Sequence, residues 1–230
     1  VVRAMAGGRL LGRLWSSEPR RFAWPVRLSA RAAERGLAGA AVVALRELRL
    51  QDEKAWRALR LADDARLSPW EATLPPQAGE GALDFASFVR AQERRARLGE
   101  AMSFVIEVDG ALGGQLSVDP IHWGSLRSAQ VGYWIGGSLE GCGIARLAVA
   151  MALDHLLGPA VGLHRVEINV RPENDRSLAL CRALGLREEG LRRRYMHING
   201  VWADHVSFAV VAEDRRGRAG FVDGLTGGQS

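Results

Sequence analysis

Gly141-Cys142-Gly143 stands between an apolar, strand-like stretch, Ser128 to Gly136, and the almost wholly apolar run Ile144 to Leu157. A strand that enters a helix through glycines leaves backbone N–H groups without partners at the positive end of the helix dipole. Such a turn can hold a phosphate or pyrophosphate, because glycine lets the ligand approach the backbone. The spacing alone is equally that of a turn that merely ends a strand. Downstream, Glu167 and Asn169 lie two apart in Arg165–Val170 and share a strand face. Glu167 can act as a base through a water, or can be a plain solvated strand carboxylate. Asn174 opens a second helical pattern carrying Ser177 and Cys181, so two helix N-termini follow strands in turn.

Glu140 sits at the lip of the glycine turn and runs against this chemistry. A carboxylate a few ångströms from a phosphate costs about 1 kcal/mol in water and about 4 kcal/mol at an intermediate dielectric, unless it turns away or is paired. Arg146, one turn inside the helix, is a candidate partner.

The elements that would position these residues are legible in the hydrophobic periodicity. Ala41 to Leu48 alternates as a half-buried strand, and a helix follows with Asp52 as its N-cap and Trp56 and Leu59 on one face. A Pro/Gly-rich loop carrying Trp70 and Glu71 leads to a second helix marked by Phe85, Phe88 and Val89. Two apolar runs then flank Asp109-Gly110, a strong hairpin signal, and Ser128 to Gly136 completes a meander. After the glycine turn and its helix come a strand ending before Pro172, a helix closed by Gly185, and a last hairpin turning at Asn199-Gly200. The order is β-α-α-β-β-β-α-β-α-β-β, an α/β layered fold.

The 230 residues carry a formal charge of +5, and Lys54 is the only lysine among 31 basic residues. Residues 1–38 hold eight arginines against Glu18 and Glu34, so the basic excess belongs to this arm and the remainder is near neutral. The expectation is a basic, poorly ordered N-terminal extension over 1–39, one domain over 40–213 and a flexible Gly/Arg-rich tail over 214–230. Cys142 and Cys181 show neither disulfide nor zinc spacing. With no apolar run long enough for a membrane span and no secretory leader, the chain reads as soluble and cytoplasmic, with no membrane partner.

In order and spacing, Gly132-Tyr133-Trp134-Ile135, the glycine turn, Leu163 to Ser177, and Leu184 to Val206 resemble the GNAT superfamily of acyl-CoA-dependent N-acetyltransferases. Within it they are similar to the RimJ/RimL-like, ribosomal-protein-alanine N-acetyltransferase branch, over Val42 to Val211. The resemblance implies a GNAT fold, α/β (α+β), with a mixed, mostly antiparallel six- to seven-stranded sheet and helices on both faces. It implies acetyl-CoA as acetyl donor and no metal. The pyrophosphate would lie on Gly141, Cys142, Gly143, Ile144 and Ala145. The pantetheine would run along Trp134, Ile135 and Gly136, where the family parts two strands, with hydrogen bonds from Asn174 and Ser177. Cys181 stands where many relatives carry a tyrosine that protonates the departing thiolate; a thiol of ordinary pKa near 8.5 can donate that proton, or can simply pack. Asn169 would orient a water or an amide, and Trp70, Glu71, Tyr195 and His197 would border the acceptor, with Glu71 attracting a cationic N-terminus; Trp70 can instead cap the core.

The reaction implied is direct attack of a neutral amine on the thioester in a ternary complex, with a strand N–H stabilising the oxyanion. An α-amine of pKa about 7.7 to 8.0 needs only modest help to lose its proton, and a histidine of the final hairpin, where His197 and His205 lie beside Tyr195 and Asp204, can supply it. The acceptor implied is the N-terminus of a ribosomal or other protein, with the basic arm contacting ribosome or RNA. A small amine such as an aminoglycoside, polyamine or amino acid is the alternative acceptor. A non-catalytic acyl-CoA-binding or ribosome-associated module would fit Glu140 and Cys181.

Overall fold

The computed structural model describes residues 22–32, 34, 40, 42–75, 83–215 and 220–225. Its centre is one mixed sheet. The strands are β1 (Leu28–Arg31), β2 (Val42–Glu47), β3 (Met102–Val108), β4 (Ala111–His122), β5 (Ser128–Ile135), β6 (Arg165–Val170), β7 (Arg187–Ile198) and β8 (Val201–Val211). They lie in the order β1-β2-β3-β4-β5-β6-β8-β7. Every neighbouring pair is antiparallel except β5 with β6. Both predicted hairpin turns form with positive φ at the two turn residues, 49° and 85° at Asp109-Gly110 and 44° and 83° at Asn199-Gly200. That is the backbone a two-residue turn needs to follow the strand twist.

Helices cover both faces. On one, α1 (Glu53–Ala62) and α3 (Phe85–Arg97) pack Trp56, Phe85, Phe88 and Val89 on Val105 and Leu112, with the short α2 (Asp64–Leu67) following α1. On the other, α4 (Ile144–Leu157) and α5 (Asp175–Ala183) cover the larger core. α4 is apolar almost all round and buries Leu147, Leu153 and Leu156 completely. Each such leucine contributes about 2 kcal/mol of transfer free energy, which fixes the N-terminus of α4 against the sheet.

The structure corrects three expectations. The sheet has eight strands, not six or seven, because the arm supplies β1: Leu28 to Arg31 pair with Leu45 to Val42. Phe22 and Ala32 are buried, and Trp24 meets the ring of Phe104 edge-on at 5.2 Å. The domain therefore takes in residues assigned to the extension; residues 1–21 lie outside the described residues. The tail assigned to 214–230 is likewise part of the fold in its described portions. Arg215 ends a 3-10 turn, and α6 (Phe221–Gly224) buries Phe221, with the Asp154 carboxylate of α4 accepting from the amides of Phe221 and Val222 at 2.9 and 3.0 Å. Third, the Asp52 side chain does not cap α1. It turns back, accepting from the Arg49 amide at 2.8 Å and from the two Nη atoms of buried Arg46 at 2.8 and 2.9 Å.

Arg46 also donates through Nε to Glu107 at 2.6 Å. These carboxylates, opposed by burial, hold its guanidinium well above its ordinary pKa. Removing one partner of a buried pair costs roughly 3 kcal/mol or more, since the remaining charge stays desolvated. Asp52→Ala should accordingly lower the urea midpoint with an unchanged m-value; an unchanged midpoint would mean that Glu107 alone satisfies Arg46.

Candidate active site

β5 and β6 pair in parallel only at Ser128↔Arg165, Ala129↔Val166 and Gln130↔Glu167, and then part. The Gly136 amide bonds to Gly113 O at 2.7 Å, so the peptide groups of Trp134 and Gly132, in phase with it, are used by β4. Beyond the last bridge, the Val131 carbonyl and the peptide groups of Tyr133 and Ile135 face the gap that β6 leaves, the Ile135 carbonyl accepting from Arg66. Of the three residues expected along a pantetheine, Ile135 alone presents its backbone there. The Trp134 ring instead lies under the Arg60 guanidinium, 5.3 Å from the centroid, and Gly136 is held close to α1, where a Cβ would meet Leu59 Cδ1 at 2.9 Å.

The gap leads to the glycine turn. Gly141 and Gly143 have φ of 74° and 73°, and Gly143 is the N-cap of α4 with no side-chain cap bond. The first bond of α4 runs from Leu147 N–H to Gly143 O at 3.0 Å. Among the described residues, the amides of 141–146 thus have no protein partner. A Cβ at Gly141 would have nothing within 4 Å, so the turn is open in front. The Cys142 thiol turns back to Glu140 O at 3.6 Å and leaves the amides clear. Consecutive free donors at a fixed helix N-terminus form an anion cradle.

Glu140 is paired, though not with Arg146, whose buried Nε has no partner. Its carboxylate accepts from Arg66 Nη1 of α2 at 2.7 Å and from Arg176 of α5. Arg66 Nη2 reaches Ile135 O at 2.5 Å and Asp63 at 2.8 Å, and Asp63 accepts from the Gly137 amide at 2.7 Å. The Arg66 hydrogen bond, helped by the Gly137 amide, holds the Asp63 carboxyl below the usual range against the effect of burial. Glu140 and Asp63 thus balance Arg66 and Arg176 at the lip of the cradle, and the Glu140 charge is offset there. Sequence reasoning missed Asp63, Arg66 and Arg176, because nothing local marks two arginines 110 positions apart as neighbours of one loop.

At the start of α5 the Asn174 side chain caps the helix, accepting from Ser177 N–H at 3.1 Å. Cys181 is fully buried, and burial pushes its thiol up to about 12. A thiol so desolvated serves as core packing. The Tyr133 hydroxyl, which sequence reasoning passed over, is buried beside Ser177 and Cys181 with no hydrogen-bond partner. Burial holds its pKa above the usual phenol value, outweighing the nearby Ser177 hydroxyl.

The opposite sheet face is polar. Ser207 Oγ donates to Asn169 Oδ1 at 2.9 Å, Asn169 Nδ2 to Gln130 Oε1 at 3.2 Å, and Tyr195 Oη to the same oxygen at 3.2 Å. Tyr195 reaches across from β7 because extra residues bulge that strand between Arg192 and Met196. Glu167 faces the same way but both its carboxylate oxygens are engaged, by Arg165 Nε at 2.8 Å and Arg192 Nη2 at 2.7 Å. His197 bonds to Thr73 Oγ1 at 2.9 Å and clamps the Pro-rich loop to the hairpin, where Ala72 bridges Ile198. Above this face Glu71 is paired with Arg60, and Arg171 lies 5.7 Å from the centroid of the half-exposed Trp70 ring.

A parted β5/β6 pair ending in a glycine anion cradle, with a polar face behind it, defines an acyl-carrier site. Residues 43–187 match the acetyltransferase (GNAT) domain, and the chain belongs to this N-acetyltransferase family. It is similar to Mycobacterium smegmatis RimJ, solved in complex with CoA-disulfide, with 38% identity and a TM-score of 0.76 over 89% of this chain and 95% of that one. It is 35% identical to the probable N-acetyltransferase YjcK of Bacillus subtilis over 46% of this chain. It is 34% identical to the [ribosomal protein uS5]-alanine N-acetyltransferase of Escherichia coli over 40% of this chain. These matches span 58% and 46% of the two curated relatives' lengths. Among the described residues no helix is long and apolar enough to cross a membrane.

Proposed function

We propose that this chain transfers the acetyl group of acetyl-CoA to the N-terminal α-amino group of a protein, a ribosomal protein foremost, by direct attack in a ternary complex. The free amides of 141–146 suit the pyrophosphate, with Arg66 and Arg176 at the lip offsetting Glu140. Asn174 and Ser177 border the thiol end of the gap. Acetyl-CoA supplies the activated thioester. The backbone amides facing the gap from β5 orient the arm and polarise the carbonyl. The Tyr133 hydroxyl, kept protonated by burial and free of other partners, donates to the departing sulfur.

One observation favours a protein N-terminus over a polyamine or aminoglycoside. Glu71 and Glu167, the acceptor-side carboxylates, are each matched by guanidiniums: Arg60 for the first, Arg165 and Arg192 for the second. A ligand with several ammonium groups needs unpaired carboxylates, whereas a single neutral amine at the end of a peptide does not. The similarity to the Escherichia coli enzyme and to RimJ supports the same class. We place the reaction in the cytoplasm, where Cys142 and Cys181 stay free thiols, with the arginines of residues 1–38 suited to ribosomal RNA.

A panel of peptides beginning Ala, Ser or Met, assayed beside spermidine and an aminoglycoside by CoA release, should show turnover with peptides. Turnover with the small amines alone would replace this reading. Tyr133→Phe should lower kcat by roughly 100-fold, the order for losing one donor to developing charge, with acetyl-CoA affinity retained; an unchanged kcat would show that the thiolate leaves unaided. Glu140→Gln frees Arg66 and Arg176 for the phosphates and should tighten acetyl-CoA roughly fivefold at low salt, measured by calorimetry, with the gain fading at high salt.

A further inference from the structure

With Glu167 tied to two arginines and Cys181 buried in the core, the polar face still needs a group that can accept the proton of the attacking amine. We infer that His205 Nε2 is that general base. His205 lies on β8 two residues from Ser207, so the two share the face that carries Asn169, Gln130 and Tyr195. The Tyr195 ring meets the imidazole edge-on at 5.7 Å, which sets the histidine beside the hydroxyl chain that reaches β5.

The tautomer is fixed by the backbone. Nδ1 lies 3.1 Å from Ala203 O, and a carbonyl can only accept, so Nδ1 carries the hydrogen and the lone pair is on Nε2. Among the described residues Nε2 has no hydrogen-bond partner, and it is not among the fully buried, unpaired side-chain atoms. A ring that is otherwise buried thus keeps one basic atom available. Burial holds His205 below its ordinary pKa, with Arg171 adding to this, while the Ala203 carbonyl, Asp204 and Glu173 act in the opposite sense. Arg192, on the Tyr195 ring at 4.9 Å, adds positive charge on the β7 side. The imidazole is therefore neutral and ready to accept at pH 7.

The proton balance is complete. As the amine nitrogen bonds to the thioester carbon, its proton passes to Nε2, directly or through one water. The C–S bond breaks with its electron pair on sulfur, and the thiolate, held by a hydrogen bond from the Tyr133 hydroxyl, takes its proton from solvent. His205 then returns its proton to solvent. The inference rests on acetyl transfer to an amine, whichever amine that is.

His205→Asn tests it, because the asparagine amide can keep the bond to Ala203 O. With any amine the wild-type protein acetylates, kcat should fall by roughly 100-fold, the lower end of general-base contributions, with acetyl-CoA affinity by calorimetry unchanged. In the wild type, kcat should fall as pH drops through the lowered histidine pKa, below about 6.5; that limb should vanish in the variant while the amine's own titration remains in kcat/KM. Full kcat in His205→Asn, or survival of the acid limb, would overturn the inference. Independently of any acceptor or variant, nitrogen-15 spectra of the wild-type imidazole should show the Nδ1–H tautomer, neutral at pH 7. A neutral ring protonated at Nε2, or one still charged at pH 7, would also overturn it. Peptides inert beside an active small amine would refute the acceptor reading and leave this test intact.

Discussion

The parting of β5 from β6 is the constraint on which the site depends. The two strands are the sheet's one parallel pair, and they separate after Gln130↔Glu167. A strand that loses its neighbour inside a sheet leaves peptide groups that water or a ligand must satisfy. In the gap those groups are the Val131 carbonyl, both peptide groups of Tyr133 and the Ile135 amide, because β4 has taken the alternate ones. The wedge is held open from both sides: α4 sits firmly on the core next to β5, and β8 pairs with β6 along all of it. The gap is thus a product of tight packing around it.

From this wedge the two halves of the chemistry separate by sheet face. The side covered by α4 and α5 carries free amides at the glycine turn and a phenol buried near Ser177, and is the side proposed for the carrier. The other side carries the hydrogen-bonded row Ser207, Asn169, Gln130 and Tyr195. In the proposed reaction, groups arriving from opposite faces would meet through the gap, which would provide the orientation that an uncatalysed encounter lacks.

Glu140 shows how a residue that looks unfavourable in isolation acquires a role. Its charge near an anion site is offset by Arg66 and Arg176, which come from different elements and are ordered by it. Asp63, bonded to both Arg66 and the Gly137 amide, extends the same chain to the entrance of the loop. The lip is therefore an ion network in which two carboxylates balance two guanidiniums.

The sequence by itself determined the elements and the cradle. Alternation and helical spacing reflect which face each element buries, and Asp109-Gly110, Asn199-Gly200 and Gly143 are needed for backbone torsions that other residues disfavour. Asn174 was legible for the same local reason, as a cap four residues inside one turn. Asp52 misled because its nearest competitor for a hydrogen bond, Arg46, lies on another element. The strand in the arm and the docked tail were hidden because their partners, Leu45 and Asp154, are distant in the chain. Only the tertiary structure decided the ion pairing at the lip, the engagement of Glu167 by two arginines, and the contact of His205 Nδ1 with Ala203 O. Those depend on which side chains meet across elements, and on how far burial shifts a proton, and neither is encoded in spacing along the chain.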